Sequence, residues 1–398
     1  MITFAADFPL MTTRFNLLLL TLTLLAGQAT RAQHDGHELT ESLVSEGVHE
    51  VEEERGFDPS PFIIHHVADA YDIHLWGEGE SALHIPLPVI LYSERHGLDV
   101  FMSSAFHGHG EVKHTDDGRY EMSHGHISLA GSHDDHAHSH QDGHNHNHEL
   151  KLYDFSITKS VFGMLFIMAL LVGLFGRVAA SYRKNPGQAP KGLTNMLEPL
   201  VVFVRDDIAV PSLGEKKAEK FLPFLLTVFF FILFANLLGL IPFIGGFNIT
   251  GTVGITAVMA TFVFLLTSFN GNKHYWGHLF WPPGVPVFVM PIIIPIEIIG
   301  MFLKPIVLMI RLTANITAGH IIILSFVSLV LIFGESSVAA GYGVGIFSTA
   351  FMIFMYCIEL LVAFLQAFIF TLLAAIYFGE ATHCLLYTSD AADDDACV

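Results

Sequence analysis

Apolar positions fall along this chain in two textures. Between Phe57 and Asp154 they come in short runs separated by turn residues, and from Ser160 onward they come in long stretches. The first texture predicts strands at Asp72–Trp76, His84–Tyr92, Leu98–Met102 and Tyr120–Leu129, because short apolar and aromatic runs bounded by turn residues suit a half-buried pleat. The second texture predicts membrane helices, since a span needs about 20 consecutive apolar residues.

The long stretches also predict a topology. Ser160 to Gly176 carries no charge, and Arg177, Arg183, Lys184 and Lys191 follow it. Basic residues mark the cytoplasmic end of a span, so the segment before Ser160 is expected outside. Residues 192–220 mix Leu197, Leu200, Val201 and Phe203 with Glu198, Arg205, Asp206 and Asp207, which predicts one amphipathic helix on the cytoplasmic face. Between Lys220 and Lys273 there is no Asp, Glu, Lys or Arg, and Pro242, Gly245, Gly246 and Gly251 interrupt the run. That pattern predicts an antiparallel pair of spans over 221–243 and 252–269. Trp281–Pro286 reads as a turn or a re-entrant approach.

Two further runs, Val287–Phe333 and Tyr342–Phe378, are 47 and 37 residues long. At about 1.5 Å per residue they far exceed a perpendicular span. They predict a long tilted helical hairpin, with Pro291, Pro295 and Pro305 as candidate kinks in its first arm. The expected fold class is an all-α polytopic membrane protein carrying a small exported β-rich, His-rich N-terminal segment.

Charge sharpens the division. The 398 residues carry a formal net charge of −19, with 19 Lys+Arg, 38 Asp+Glu and 24 His. Residues 33–156 hold 24 of the acids and 5 of the bases, so they account for all −19, and 20 of the histidines lie there too. Residues 157–382 are expected to form the membrane domain. No basic patch exists to neutralise phosphate, which argues against nucleic acid as a partner. Three cysteines, at 357, 384 and 397, make no disulfide framework. Residues 1–32 read as a signal peptide starting at Met11, with Arg14 before an apolar run and Thr30 and Ala32 at the small positions before Gln33. The other reading is an uncleaved first helix. Within the exported segment, Ser132–His148 carries His133, His136, His138, His140, His144, His146 and His148 among three Asp. Imidazole suits zinc, copper or nickel. The tract is therefore a weak metal-binding candidate, with a solvated linker or a proton buffer as the other readings.

The predicted hairpin holds Glu297, Lys304, Arg311, His320 and Glu359. An ionisable residue at the bilayer centre costs at least about 2.5 kcal/mol on insertion scales, so such residues face an interior or a water path. Arg311 stays protonated and can act only as a fixed charge, whereas His320 and Glu359 can take and give protons. Lys304 and Arg311 share a helix face, as do Glu359 and Gln366, and Asn315 lies one turn beyond Arg311. His320 lies about 14 Å further along and half a turn around. One reading is a fixed barrier beside a proton pathway. The other is a structural ion-pair network, with Arg311 and Glu359 in direct contact.

Three segments carry a family resemblance: Phe234-Ala-Asn-Leu-Leu-Gly-Leu-Ile-Pro-Phe243, Lys304-Pro-Ile-Val-Leu-Met-Ile-Arg-Leu-Thr-Ala-Asn-Ile-Thr-Ala-Gly-His320 and Glu359-Leu-Leu-Val-Ala-Phe-Leu-Gln-Ala-Phe-Ile-Phe370. Over about 155–382 the chain resembles subunit a of the F-type ATP synthase, and its exported front is similar to that of Bacteroidota-type members. The resemblance implies a non-catalytic, proton-translocating subunit with two half-channels serving a c-ring, in the cell inner membrane with a periplasmic N-terminal segment. It implies Arg311 as the arginine facing the c-ring carboxylates, Asn315 and Gln366 as polar partners, His320 and Glu359 as the proton-pathway pair, and Glu297 as a further polar position. Other members carry Glu and His at the paired positions in the opposite order. Implied partners are c-ring subunits, the subunit b stator, other ATP synthase subunits and membrane lipid; no cofactor is implied. Family members end soon after a segment like Tyr377–Ala381, so residues 383–398 read as a sequencing-adapter remnant.

Rival classes are weaker. A metal transporter needs ligand clusters within the spans, such as two His four apart, and the spans carry none. A purely structural scaffold predicts no phenotype for Arg311→Ala. No Gly-x-x-x-x-Gly-Lys-Ser/Thr motif occurs, so ATP chemistry belongs to partner subunits.

Overall fold

A computed structural model describes residues 69–76, 83–93, 97–107, 112–115, 119–123, 126–129, 152–184, 191–241, 247–281, 286 and 288–382. The expected signal peptide, the tract Ser132–His148 and the tail 383–398 lie outside them. The described residues fall into two compact units, one within 58–165 and 238–249, the other within 166–237 and 250–398.

The first unit is built on strands. A hairpin joins β1 (Asp72–Trp76) to β2 (Leu83–Pro86). A three-stranded sheet runs in the order β4 (Gly97–Met102), β3 (Pro88–Ser93), β9 (Leu152–Asp154). A four-stranded meander runs β5 (Phe106–His107), β6 (Val112–Thr115), β7 (Tyr120–Ser123), β8 (His126–Leu129). Two expected strands are each divided. His84–Tyr92 breaks at Leu87 because Pro86 and Pro88 cannot donate to a continuous ladder, and its halves pair in different sheets. Tyr120–Leu129 folds back as a hairpin with Ser123 opposite His126. Val89, Leu91, Phe106 and Tyr120 form the buried core, with Phe101, Met122 and Ile127 packed against it. The Tyr120 hydroxyl donates to Asp99 Oδ2 at 2.6 Å. Burial, then this contact, pushes its pKa up to about 12. Tyr71 is raised in the same way, by burial and by its hydrogen bond to Asp154.

The helices begin with α1 (Lys159–Lys184). A segment of short helical pieces follows: α2 (Leu193–Phe203), a wider π turn over Val204–Ala209, and α3 (Val210–Leu213). The single amphipathic helix expected over 192–220 ends earlier, at Gly214, whose φ of 76° suits glycine because it lacks a Cβ. Lys216, Lys217 and Lys220 therefore belong to the next helix, α4 (Glu215–Gly239). Next come α5 (Val253–Phe269) and the short α6 (Lys273–Phe280). The hairpin is α7 (Met290–Ser336) and α8 (Val338–Thr382). With 47 and 45 residues, each arm is about 70 Å long. Pro295 and Pro305 lie inside α7 without ending it. Among the described residues, α1, α4, α7 and α8 are long and apolar enough to cross a membrane.

The helical core is aromatic on one side and small on the other. Phe229, Phe230, Phe370 and Phe378 are fully buried, beside Ala363, Ala367, Ala374 and Ala375 on α8. Phe221 stacks on Phe378 with centroids 4.9 Å apart, and Phe229 meets Phe364 edge-on at 6.0 Å. Small residues let helix backbones approach where lipid supplies no hydrophobic drive. The carbonyls that end α8 are capped: Lys217 Nζ donates to Thr382 O at 2.6 Å, and Asn272 donates to Thr382 O and Ala381 O.

Candidate ion-conducting site

The hairpin's register can be read from close approaches between its arms. A Cβ on Gly341 would lie 2.8 Å from Gly334 Cα, and Gly345 faces Val330. Further along, the Glu359 side chain lies over Gly319, and Lys304 pairs with Glu380. This antiparallel register sets Asn315 level with Gln366, and Arg311 near the level of Phe370 and Thr371.

Arg311 and Asn315 are exposed on α7, and Glu297 lies exposed further toward its N-terminus. Fourteen residues separate Glu297 from Arg311, close to four turns, so these groups lie along one stripe. Glu359 and Gln366 on α8 are the opposite case, 9% and 3% exposed. Glu359 is packed so closely that a Cβ on Gly319 would overlap its Oε1 and lie 2.9 Å from Cδ. Its Oε2 is buried with no hydrogen-bond partner among the described residues. Half-buried His320 is the next residue along α7 after Gly319.

The direct Arg311–Glu359 contact does not form. Glu359 sits at Gly319, eight residues or about 12 Å along α7 from Arg311, and among the described residues neither group has an ion-pair partner. The ion pair in the hairpin joins Lys304 to Glu380 instead. Lys304 Nζ also lies 5.1 Å from the Tyr377 ring centroid, a cation–π distance.

Several polar groups around this hairpin escape a reading based on charge. Buried Asn236 on α4 donates from Nδ2 to Ala363 O on α8 at 3.3 Å and accepts from Thr250 Oγ1 at 2.5 Å. Ala363 lies between Glu359 and Gln366, so this contact braces the titratable stretch of α8. Thr256 on α5 and Thr313 on α7 join hydroxyls at 2.7 Å, two residues from Arg311. Asn236 and Gly319 lie within the segments that carry the family resemblance, but what each of them meets depends on the helix that crosses it. Among the described residues no group of His, Cys, Asp and Glu is arranged to hold a metal ion.

Long apolar helices, a buried carboxyl packed over Gly319 and an exposed arginine define a polytopic membrane protein with an ionisable hairpin. Residues 161–379 match the ATP synthase A chain family, and residues 62–155 match a domain of unknown function, DUF8433. The chain belongs to the ATP synthase A chain family. It is 45% identical over 240 residues to ATP synthase subunit a 2 of Chlorobaculum tepidum, covering 59% of this chain and 65% of that protein. It is 45% identical over 235 residues to ATP synthase subunit a of Pelodictyon phaeoclathratiforme, covering 58% and 66%. For the same subunit of an Anaeromyxobacter species the identity is 40%, with 57% of this chain and 54% of the relative covered. The chain thus spans slightly less than two thirds of the first two relatives' length.

Proposed function

We propose that this chain is the proton-translocating subunit a of an F-type ATP synthase, a non-catalytic subunit that couples proton flow to rotation of a c-ring. The observation that carries the reading is the placement of Glu359. Its carboxyl is buried over Gly319, the residue before His320. Arg311 stands exposed eight residues back along α7, a rise of about 12 Å, with no ion-pair partner among the described residues. A titratable pair held apart from a permanent cation is what an ion path with a barrier requires.

In this mechanism a proton enters from the outer side and passes the His320–Glu359 pair. It neutralises a carboxylate on a c subunit, which then rotates through lipid. On the other side the proton leaves to the cytoplasm. Arg311, with Asn315 one turn on, faces the c-ring. It draws the returning carboxylate in its ionised form and closes the direct leak. Gln366 and Glu297 contribute polar positions on the path. Each proton contributes about 2.3 kcal/mol per 100 mV, so several must pass for each ATP. Residues 157–382 form the working domain in the cell inner membrane, held against the c-ring and a subunit b stator. Residues 33–156 form a periplasmic segment behind a signal peptide, and 383–398 are foreign to the protein.

Arg311→Ala tests the assignment. The complex should assemble and retain ATP hydrolysis, while proton-driven ATP synthesis in membrane vesicles falls to background. Normal synthesis in that variant would sink the proposal. Affinity purification of the intact chain should bring down the c-ring and stator subunits.

A further inference from the structure

The β4–β3–β9 sheet has two unlike faces. Val89, Leu91 and Ser93 of β3 point into the unit and are fully buried. Their neighbours point the other way, and pairing assembles them into three cross-strand rows. Leu98, Tyr92 and Tyr153 form the first row. Val100 faces Ile90, and beyond β9 the N–H of Phe155 bonds to Ile90 O at 2.8 Å, which brings Phe155 into the second row. Met102 faces Pro88, and the N–H of Ile157 bonds to Pro88 O at 3.1 Å, which completes the third. All nine positions are apolar or aromatic, and none is buried. Leu98 is 64% exposed, Val100 61% and Phe155 54%. Asp99, between two of these residues, points to the opposite face, where it binds Tyr120 and Arg119.

A fully apolar face of about 10 by 13 Å is unusual on water-exposed sheet, where alternation places polar residues outward. What covers it is indicated by its third row. Ile157 stands two residues before Lys159, the first residue of α1, a helix long and apolar enough to cross a membrane. The junction is tied rather than loose. Lys159 N–H bonds to Ala70 O at 2.8 Å, and Ser160 N–H to Asp69 Oδ1 at 2.9 Å. The first turn of the span is thus hydrogen-bonded to residues 69–70. The next residue, Tyr71, accepts at its carbonyl from the N–H of Leu87, just before β3, at 3.2 Å, and Ile157 bonds β3 itself, so the sheet cannot lie far from the bilayer surface. Its face carries no cation to seek acidic headgroups and no anion to be repelled by them. Its two tyrosines, with ring centroids 6.1 Å apart, are the residue type favoured at membrane–water interfaces.

We propose that this sheet face is a membrane-contact surface, seated in the interfacial layer of the bilayer beside the start of α1. The contact extends the lipid boundary of the protein beyond its spans and fixes the β unit against the membrane. It is made by apolar and aromatic insertion, so it requires no anionic lipid. This goes beyond the proton-translocating reading and does not depend on it.

The test uses the full chain in its assembled complex, reconstituted in phosphatidylcholine vesicles with the native cysteines replaced by serine. Nitroxide labels are placed at Val100→Cys and Leu98→Cys on the face, and at exposed His114→Cys on β6 as a reference. Relaxation by oxygen, which concentrates in lipid, is compared with relaxation by a water-soluble nickel chelate. The oxygen-to-nickel ratio at 98 and 100 should be several-fold above that at 114. A ratio equal to that at 114 would show water and overturn the proposal. Protection from both reagents would show a covering protein and overturn it equally. The vesicles' proton pumping is measured separately, so loss of the proton-translocating reading leaves this result interpretable.

Discussion

Gly319 shows how one residue decides what its neighbour can do. The Glu359 carboxyl occupies the space a side chain at 319 would take. Gly319→Ala must therefore displace it, and the displaced end of a flexible side chain can move, so the chain should still fold. ATP-driven proton pumping in membrane vesicles should fall several-fold while the complex assembles normally. Adding Glu359→Asp withdraws the carboxyl from the new methyl group, so the double variant should lose less than the product of the two single losses, as contacting residues do. Simple multiplicativity would show that Gly319 and Glu359 act independently. Arg311, His320 and Glu359 were legible in the sequence because ionisable groups in apolar stretches stand out energetically. Their pairing was not. Seven- and nine-residue spacings order positions around one helix, but they do not say which residue of the facing helix arrives opposite. Spacing alone therefore leaves contact between Arg311 and Glu359 undecided, and the register of the two arms sets Glu359 at Gly319.

At the scale of the element, the long arms α7 and α8 were legible from run length alone, while the divisions of shorter elements were not. Gly214 separates α3 from α4 within a stretch whose polarity changes smoothly. The prolines at 86 and 88 divide a strand whose alternation continues across them. In both places backbone geometry overrides the side-chain pattern. Polar bracing between helices is also a property of pairs. Asn236 holds α8 through Ala363 O and receives the Thr250 hydroxyl. Asn236→Leu removes both contacts at a buried site and leaves Thr250 without its acceptor, a loss of about 1–3 kcal/mol. The complex should dissociate at a lower temperature in detergent, and adding Thr250→Val should recover part of the difference by removing the orphaned hydroxyl. A double variant no more stable than the single one would place the cost in packing rather than hydrogen bonding. Lost proton transport with unchanged thermal stability would instead put Asn236 on the path itself.

For the whole molecule, the question is which parts of the chain the working structure needs. Lys217 and Asn272 satisfy the carbonyls of Ala381 and Thr382 at the end of α8, so these two carbonyls are capped without any residue of 383–398. Deleting 383–398 should leave assembly and pumping unchanged, whereas Lys217→Met in the same background should make the complex more labile in detergent. The segment 130–151 between β8 and β9 poses the same question for the β unit. Its two flanking strands lie in contact, and deleting 132–148 leaves five residues to join them, enough to reach about 20 Å. Strand pairing therefore does not require the histidines, and the shortened protein should assemble and pump protons normally. The seven imidazoles removed are the densest ligand set in the sequence, and neutral imidazole binds zinc and nickel well. The intact complex should retain more zinc after gel filtration than the deletion, with the difference vanishing at pH 5, where imidazoles are protonated. Equal zinc retention at neutral pH would leave the tract as a linker. Lost pumping in the deletion would give it a part in the proton path, which the Glu359–His320 reading does not assign to it.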